Sequence, residues 1–245
     1  MALKLLSALS AVVGGAPLLC FVVFLWLGSF ELVPLGLGDP AALLWNTGLS
    51  AAFFAQHSGM VRRRFRTRVE RRVPRELYPA IYSIASGVVL LVVLGLWQRS
   101  STAIWSLGTP WSWLLRLAFV AAIAGFVWGI RALRGFDGFG LRPIRDLVRS
   151  RTRPAEDLTV RGPYRWVRHP LYTFVLVMVW ACPEATLDRL LFNGLWSLWV
   201  VVGAVLEERD LRRDFGEEYA RYQAVVPMLI PRSMRPAWSD ASSER

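Results

Sequence analysis

The chain has 245 residues, 54% of them hydrophobic, with 12 Trp and 13 Phe, and a formal net charge of +11. A soluble domain of this size covers its core with helices that carry an apolar stripe; here the apolar stretches are unstriped and long enough to cross a bilayer, which excludes the ordinary soluble classes. The basic excess then needs no nucleic acid as a partner, because membrane topology and contact with anionic membrane lipids account for it.

Residues 5–30 ("LLSALSAVVGGAPLLCFVVFLWLGSF") hold no charge. This run is too long for the apolar part of a secretory signal and has no basic segment before it beyond Lys4, so it reads as a retained span. Residues 41–60 are also free of acids, lysine and arginine, residues 77–97 read "LYPAIYSIASGVVLLVVLGLW", and residues 111–130 hold only Arg116. These four make full spans. Residues 171–181 and 190–206, both uncharged, form a helical hairpin broken around Cys182, Pro183 and Glu184. The fold class is therefore all-α: a polytopic integral membrane protein with about four full transmembrane helices, a C-terminal helical hairpin and a tail at the cytoplasmic interface. N-terminal transmembrane helices occupy residues 1–133, and a C-terminal region with an interfacial loop occupies 134–245.

Arginine sets the orientation. Residues 62–75 ("RRRFRTRVERRVPR") hold eight Arg, residues 134–169 hold nine, and the tail after Leu206 holds seven. The alternate loops hold almost none: only Arg99 in 98–110 and Arg189 in 183–189. Short loops rich in Lys and Arg stay in the cytoplasm, which places both termini there.

Cys20 and Cys182 lie in or beside apolar runs, and two distant histidines make a poor metal set, so no metal is expected. "GFDGFG" at 135–140 follows a membrane helix and not a strand, and reads as an interfacial turn with little claim to bind phosphate.

The polar residues converge on one interface. His57 stands in "AFFAQHSGM" at the cytoplasmic end of the second span. An ionisable group there is a functional candidate by default; the competing reading is an interfacial histidine bonded to a neighbouring carbonyl. "RGPYRWVRHPLY" (161–172) opens the fifth apolar run. Basic and aromatic residues suit an interface, and Pro170 suits a first helical turn, but neither requires His169. Glu207 and Glu208 end the last span in "VLEERDL". Adjacent helical residues point about 100° apart, so at most one faces inward, and a helix C-terminus disfavours negative charge unless a cation answers it. After Tyr222 the tail turns apolar in "VVPMLIPR". That run is too short to span but can lie over a pocket that a polar cofactor enters from the cytosol and an apolar acceptor from the bilayer.

"GPYRWVRHPLY", then "EERDL", then "FGEEYARYQAVVPMLIP" resemble the C-terminal signature of the isoprenylcysteine carboxyl methyltransferase and phospholipid methyltransferase group of membrane enzymes. "FFAQHSGMVRRRF", "VPRELY", "FDGFGLR" and "WACPEATLDRLLF" are similar to its bacterial methanethiol S-methyltransferase branch, which extends the likeness over most of residues 41–232. The resemblance implies S-adenosyl-L-methionine as cofactor, a bacterial inner membrane as location, and methyl transfer to a small thiol such as methanethiol, giving dimethyl sulfide. The alternatives are a lipid-like acceptor, as in an isoprenylcysteine carboxyl or phospholipid methyltransferase, and a non-enzymatic membrane carrier or assembly factor. No oligomeric state is implied.

Residue roles follow from the resemblance. The motif Arg168, His169, Pro170, Leu171 and Tyr172 binds the cofactor, with Arg168 and His169 donating to its carboxylate. One of Glu207 and Glu208 accepts from its ammonium or ribose hydroxyls, and Glu208 is also counted as catalytic. Tyr164 and Tyr172 offer π faces or hydroxyls near the sulfonium, and Val226, Pro227 and Met228 wall the adenine. His57 takes the proton of the thiol.

Overall fold

The computed structural model describes residues 2–133, 135, 137–149 and 158–238. Eight helices lie among them: α1 (Ala2–Leu27), α2 (Asp39–Val61), α3 (Arg63–Glu70), α4 (Tyr78–Leu96), α5 (Trp111–Ala132), α6 (Leu141–Val148), α7 (Pro170–Trp180) and α8 (Leu187–Val225). Four of these, α1, α4, α5 and α8, are long and apolar enough to cross a membrane, and the chain is an integral membrane protein. The second predicted span forms α2, and the second arm of the predicted hairpin forms the start of α8. At 23 residues α2 is of membrane length; it carries Asn46, Thr47, Ser50, Gln56 and His57, and it turns Asn46 and Ser50 fully inward. Two short strands, β1 (Ala103–Ser106) and β2 (Glu184–Thr186), pair antiparallel with Ala103 opposite Thr186. Those segments were expected as loops; three- and four-residue strands are too short for an alternating pattern to show.

The chain forms two compact units. The first comprises residues 2–106, 137–149 and 184–195. Small residues let α1 and α4 approach closely, as membrane helices commonly do. Pro17 lacks the N–H that would bond the carbonyl of Val13, and Gly87 of α4 lies against that carbonyl, so closely that a Cβ there would be 1.9 Å from the oxygen. At one end of this unit the polar groups are paired. Asn46 and the backbone of Gln98 exchange two hydrogen bonds of 2.7 and 2.9 Å. Buried Asp188 accepts from Trp97 Nε1, Ser100 N and Thr186 Oγ1. Buried Arg189 donates to the carbonyls of Phe24 and Leu25 at the end of α1, a cation on a helix C-terminus. In "GFDGFG", Asp137 accepts from the amides of Phe139, Leu141 and Arg142. A carboxylate thus takes the N–H groups that an anion would need, in keeping with a turn that caps α6.

The second unit comprises residues 107–133, 135, 158–183 and 196–238. Here α5 presents glycines to α7: a Cβ on Gly125 would be 2.3 Å from Phe174, and one on Gly129 would be 2.6 Å from Leu171. Pro170 is the first residue of α7 and His169 precedes it as the N-cap, as the sequence suggests. Within α8 the backbone leaves the helical region at Gly216 (φ 55°, ψ −125°), a conformation that favours glycine. The bend turns the last two turns of the helix, and the tail behind them, back toward α7.

Candidate functional site

In the second unit, Gly162 (φ 53°) opens a single 3₁₀ turn over Gly162–Arg165. The chain then runs extended into α7. The N–H of Arg168 donates to Pro227 O (2.9 Å), that of His169 to Met228 O (3.0 Å), and Thr173 Oγ1 to Leu229 O (2.7 Å). The tail is therefore laced to the arginine–histidine motif along its backbone. Trp166 Nε1 adds a bond to Met234 O, and Tyr222 donates to Tyr164 O at 2.6 Å.

The side chains form one ionic cluster. Arg168 Nε donates to Glu208 Oε1 at 2.6 Å, and Nη1 donates to the carbonyls of Gln223 and Val226; the guanidinium also acts on the Tyr219 hydroxyl. Gln223 Nε2 donates to the other oxygen of Glu208 at 2.8 Å. His169 Nε2 lies 3.2 Å from Glu208 Oε1, and its ring stacks on Tyr172, with centroids 5.3 Å apart and planes 4° apart. The Tyr172 hydroxyl donates to Glu207 Oε2 at 2.5 Å. Burial pushes the His169 imidazole below its ordinary value, against the pull of Glu207 and Glu208. Burial likewise raises the Tyr164 phenol, with Glu207 adding to the effect, so that phenol is a neutral donor at physiological pH.

The two glutamates divide as their spacing on the helix requires. The Glu208 side chain is 10% exposed and the Glu207 side chain 46%, so Glu208 is no solvated helix end. Nor does the pair terminate the helix, because α8 continues past it to Gly216. Glu208 and Gln223 are fifteen positions apart and on a straight helix would be about 22 Å apart; the turn at Gly216 brings them into contact. Val226 is buried with Tyr219 and Tyr222. Pro227 and Met228 meet the motif through their carbonyls.

Gln223 and Tyr219 were not singled out in the sequence. The signal for both was present, since Tyr219, Tyr222, Gln223 and Val226 fall at the spacing of one helix face. Tyr219 is 1% exposed, and among the described residues its O–H finds no acceptor, while the Arg168 guanidinium acts on its oxygen.

His57 belongs to the first unit. The Tyr82 hydroxyl lies 2.7 Å from its Nε2, and Phe53 packs on the ring at a centroid distance of 5.2 Å. Its partner at that nitrogen is a phenol from α4. Tyr82 also escaped notice, because a tyrosine at the end of an apolar run reads as an interfacial anchor.

A polytopic helical membrane protein with a tail-closed ionic cluster is the class these features define, and by its match to the family described as NnrU protein over residues 47–235 the chain belongs to that family. All the residues of the cluster, with His57 and Tyr82, fall inside the matched region. Among similar proteins, Methanethiol S-methyltransferase of Pseudomonas sp. strain GM41 is 36% identical over 204 residues, 80% of this chain and 76% of that protein. Methanethiol S-methyltransferase of Mycobacterium tuberculosis is 30% identical over 194 residues, 78% of each chain. Human Nurim is 27% identical over 181 residues, 70% of this chain and 69% of Nurim. No solved structure matches the chain.

Proposed function

We propose that this protein is a membrane methyltransferase that moves a methyl group from S-adenosylmethionine to methanethiol, giving dimethyl sulfide, with the reaction housed in residues 134–245 and assisted by His57. The observation that carries the reading is the cluster of Arg168, His169, Tyr172, Glu207 and Glu208, in a chain similar over most of its length to proteins named for that reaction.

The donor set fits the cofactor. Its amino-acid end carries a carboxylate and an ammonium, and its sulfur is a cation. Arg168, His169 and the O–H of Tyr219, which has no acceptor among the described residues, offer donors for the first, Glu207 offers a partly exposed acceptor for the second, and the rings of Tyr164 and Tyr172 offer π faces for the third. Pro170 and Leu171 hold the motif at the start of α7, and Val226, Pro227 and Met228 supply apolar surface for the adenine. When bound, S-adenosylmethionine supplies an electrophilic methyl group. The protein's part is alignment for an in-line displacement and removal of one proton, because the thiolate is the nucleophile. Of the two histidines, His169 is engaged by Glu208. His57, held by Tyr82, is the imidazole proposed to take that proton. Glu208 fixes the arginine and histidine that hold the cofactor.

Purified protein with methyl-labelled cofactor should transfer label to methanethiol. Transfer to a prenyl-cysteine carboxylate or an aminophospholipid, with none to the thiol, would replace the acceptor; no transfer to any of the three would remove the enzymatic reading. We also place the protein in the bacterial inner membrane, and the arginine asymmetry supports an orientation with both termini in the cytoplasm. A reporter fused after Arg245 should report a cytoplasmic location, and activity confined to the periplasm would reverse the topology.

A further inference from the structure

Tyr219 stands on the return segment of α8, three residues beyond the Gly216 bend. Its ring packs edge-on against Tyr222 at a centroid distance of 5.9 Å, in a small apolar cluster with Val226. That packing explains the ring. It does not explain the hydroxyl, which is buried: among the described residues no acceptor takes its O–H, and the Arg168 guanidinium that acts on its oxygen is itself only a donor. A buried O–H without an acceptor carries an uncompensated desolvation cost, and a phenylalanine would fill the same space without it.

The contrast with Tyr222 is instructive. The two tyrosines are three residues apart and equally buried, yet Tyr222 spends its hydroxyl on the carbonyl of Tyr164. One phenol closes the fold and the other is held in reserve. The charged groups acting on the Tyr219 hydroxyl are Glu208, Arg168 and Glu207, the same groups that make up the ionic cluster. An amphoteric ligand placed against that cluster brings a carboxylate that needs donors, and a phenolic O–H is one.

We propose that Tyr219 is a cofactor-binding residue whose hydroxyl donates to the α-carboxylate of S-adenosylmethionine, beside Arg168. This rests on the methyltransferase reading above and adds to it a residue that the motif alone does not name.

The test is Tyr219→Phe, with Tyr222→Phe as comparator, in purified detergent-solubilised protein. The probes are S-adenosylhomocysteine, which keeps the amino-acid end, and 5′-methylthioadenosine, which lacks it. Tyr219→Phe should weaken S-adenosylhomocysteine about tenfold, the loss of one hydrogen bond to a charged group. It should leave 5′-methylthioadenosine unchanged and leave the melting temperature of the ligand-free protein equal to wild type or higher. Tyr222→Phe should instead lower that melting temperature. Unaltered S-adenosylhomocysteine affinity in Tyr219→Phe overturns the proposal. So does an equal loss for both probes, which would place the hydroxyl at the nucleoside end, and so does a fall in ligand-free stability, which would make it structural. Wild-type protein that binds neither probe overturns the methyltransferase reading, and this assignment with it.

Discussion

His57→Ala should lower methanethiol methylation by about 10²–10⁴-fold at neutral pH, the usual worth of a general base, while leaving S-adenosylhomocysteine affinity unchanged. The reason is the acceptor's protonation state. An ordinary cysteine thiol titrates near 8.5 and a simple alkanethiol somewhat higher, so at pH 7 nearly all of the acceptor needs a proton removed. As pH rises, more of the acceptor arrives as thiolate and the base matters less, so the deficit should shrink well above neutrality. The measurement is turnover of wild type and variant from pH 7 to 10 at saturating cofactor. A deficit that stays constant across that range would make His57 a residue that positions the acceptor, and a loss of cofactor affinity would make it part of the binding site. Because the Tyr82 hydroxyl is 2.7 Å from Nε2, the same profile also reports on an imidazole already held in one orientation.

The second large effect is expected at Glu208. Its carboxylate accepts from Arg168, Gln223 and His169, and the Arg168 side chain is only 10% exposed. Glu208→Ala leaves that guanidinium buried without its counter-charge, and removing one member of a buried pair typically costs about 3–5 kcal/mol. The variant should lose stability to thermal or denaturant unfolding and lose cofactor binding with it. Glu207→Gln is the internal contrast. Its side chain is half in solvent, accepts from Tyr172 and lies 3.9 Å from His169 Nδ1, so the variant should weaken cofactor binding with little effect on unfolding. A Glu208→Ala protein as stable as wild type would show that the cluster does not hold the return segment in place.

Much of this arrangement was legible in the residues. Uncharged runs of membrane length mark α1, α4 and α5. The proline after His169 marks the start of α7, and the adjacent glutamates had to point to different faces. What was not legible depends on pairings across sequence. Arg168 meets Glu208 forty residues away, and Tyr222 meets Tyr164 fifty-eight away; no local period encodes either. The Gly216 bend carries the most consequence among the features missed. In "DFGEEY" a lone glycine within a helical pattern reads as a mild weakness, and only its backbone angles show that the helix turns there. Asp188 and Arg189 looked like a loop, and are instead buried through bonds to Trp97 and to the end of α1.

The lacing of the tail to the arginine–histidine motif also sets an order of events during biosynthesis. Arg168 and His169 leave the ribosome before α8 exists, and the groups that receive them, Glu208, Val226, Pro227 and Met228, follow later, with Met234, which accepts from Trp166, later still. The apolar helices can be handed to the bilayer one after another as they emerge, but the cluster has no stable form until translation has passed Gly216 and the chain has doubled back. Anchoring in the membrane is thus complete before the binding cluster is, and ribosomes stalled within the last helix would leave molecules already inserted but carrying an unanswered arginine.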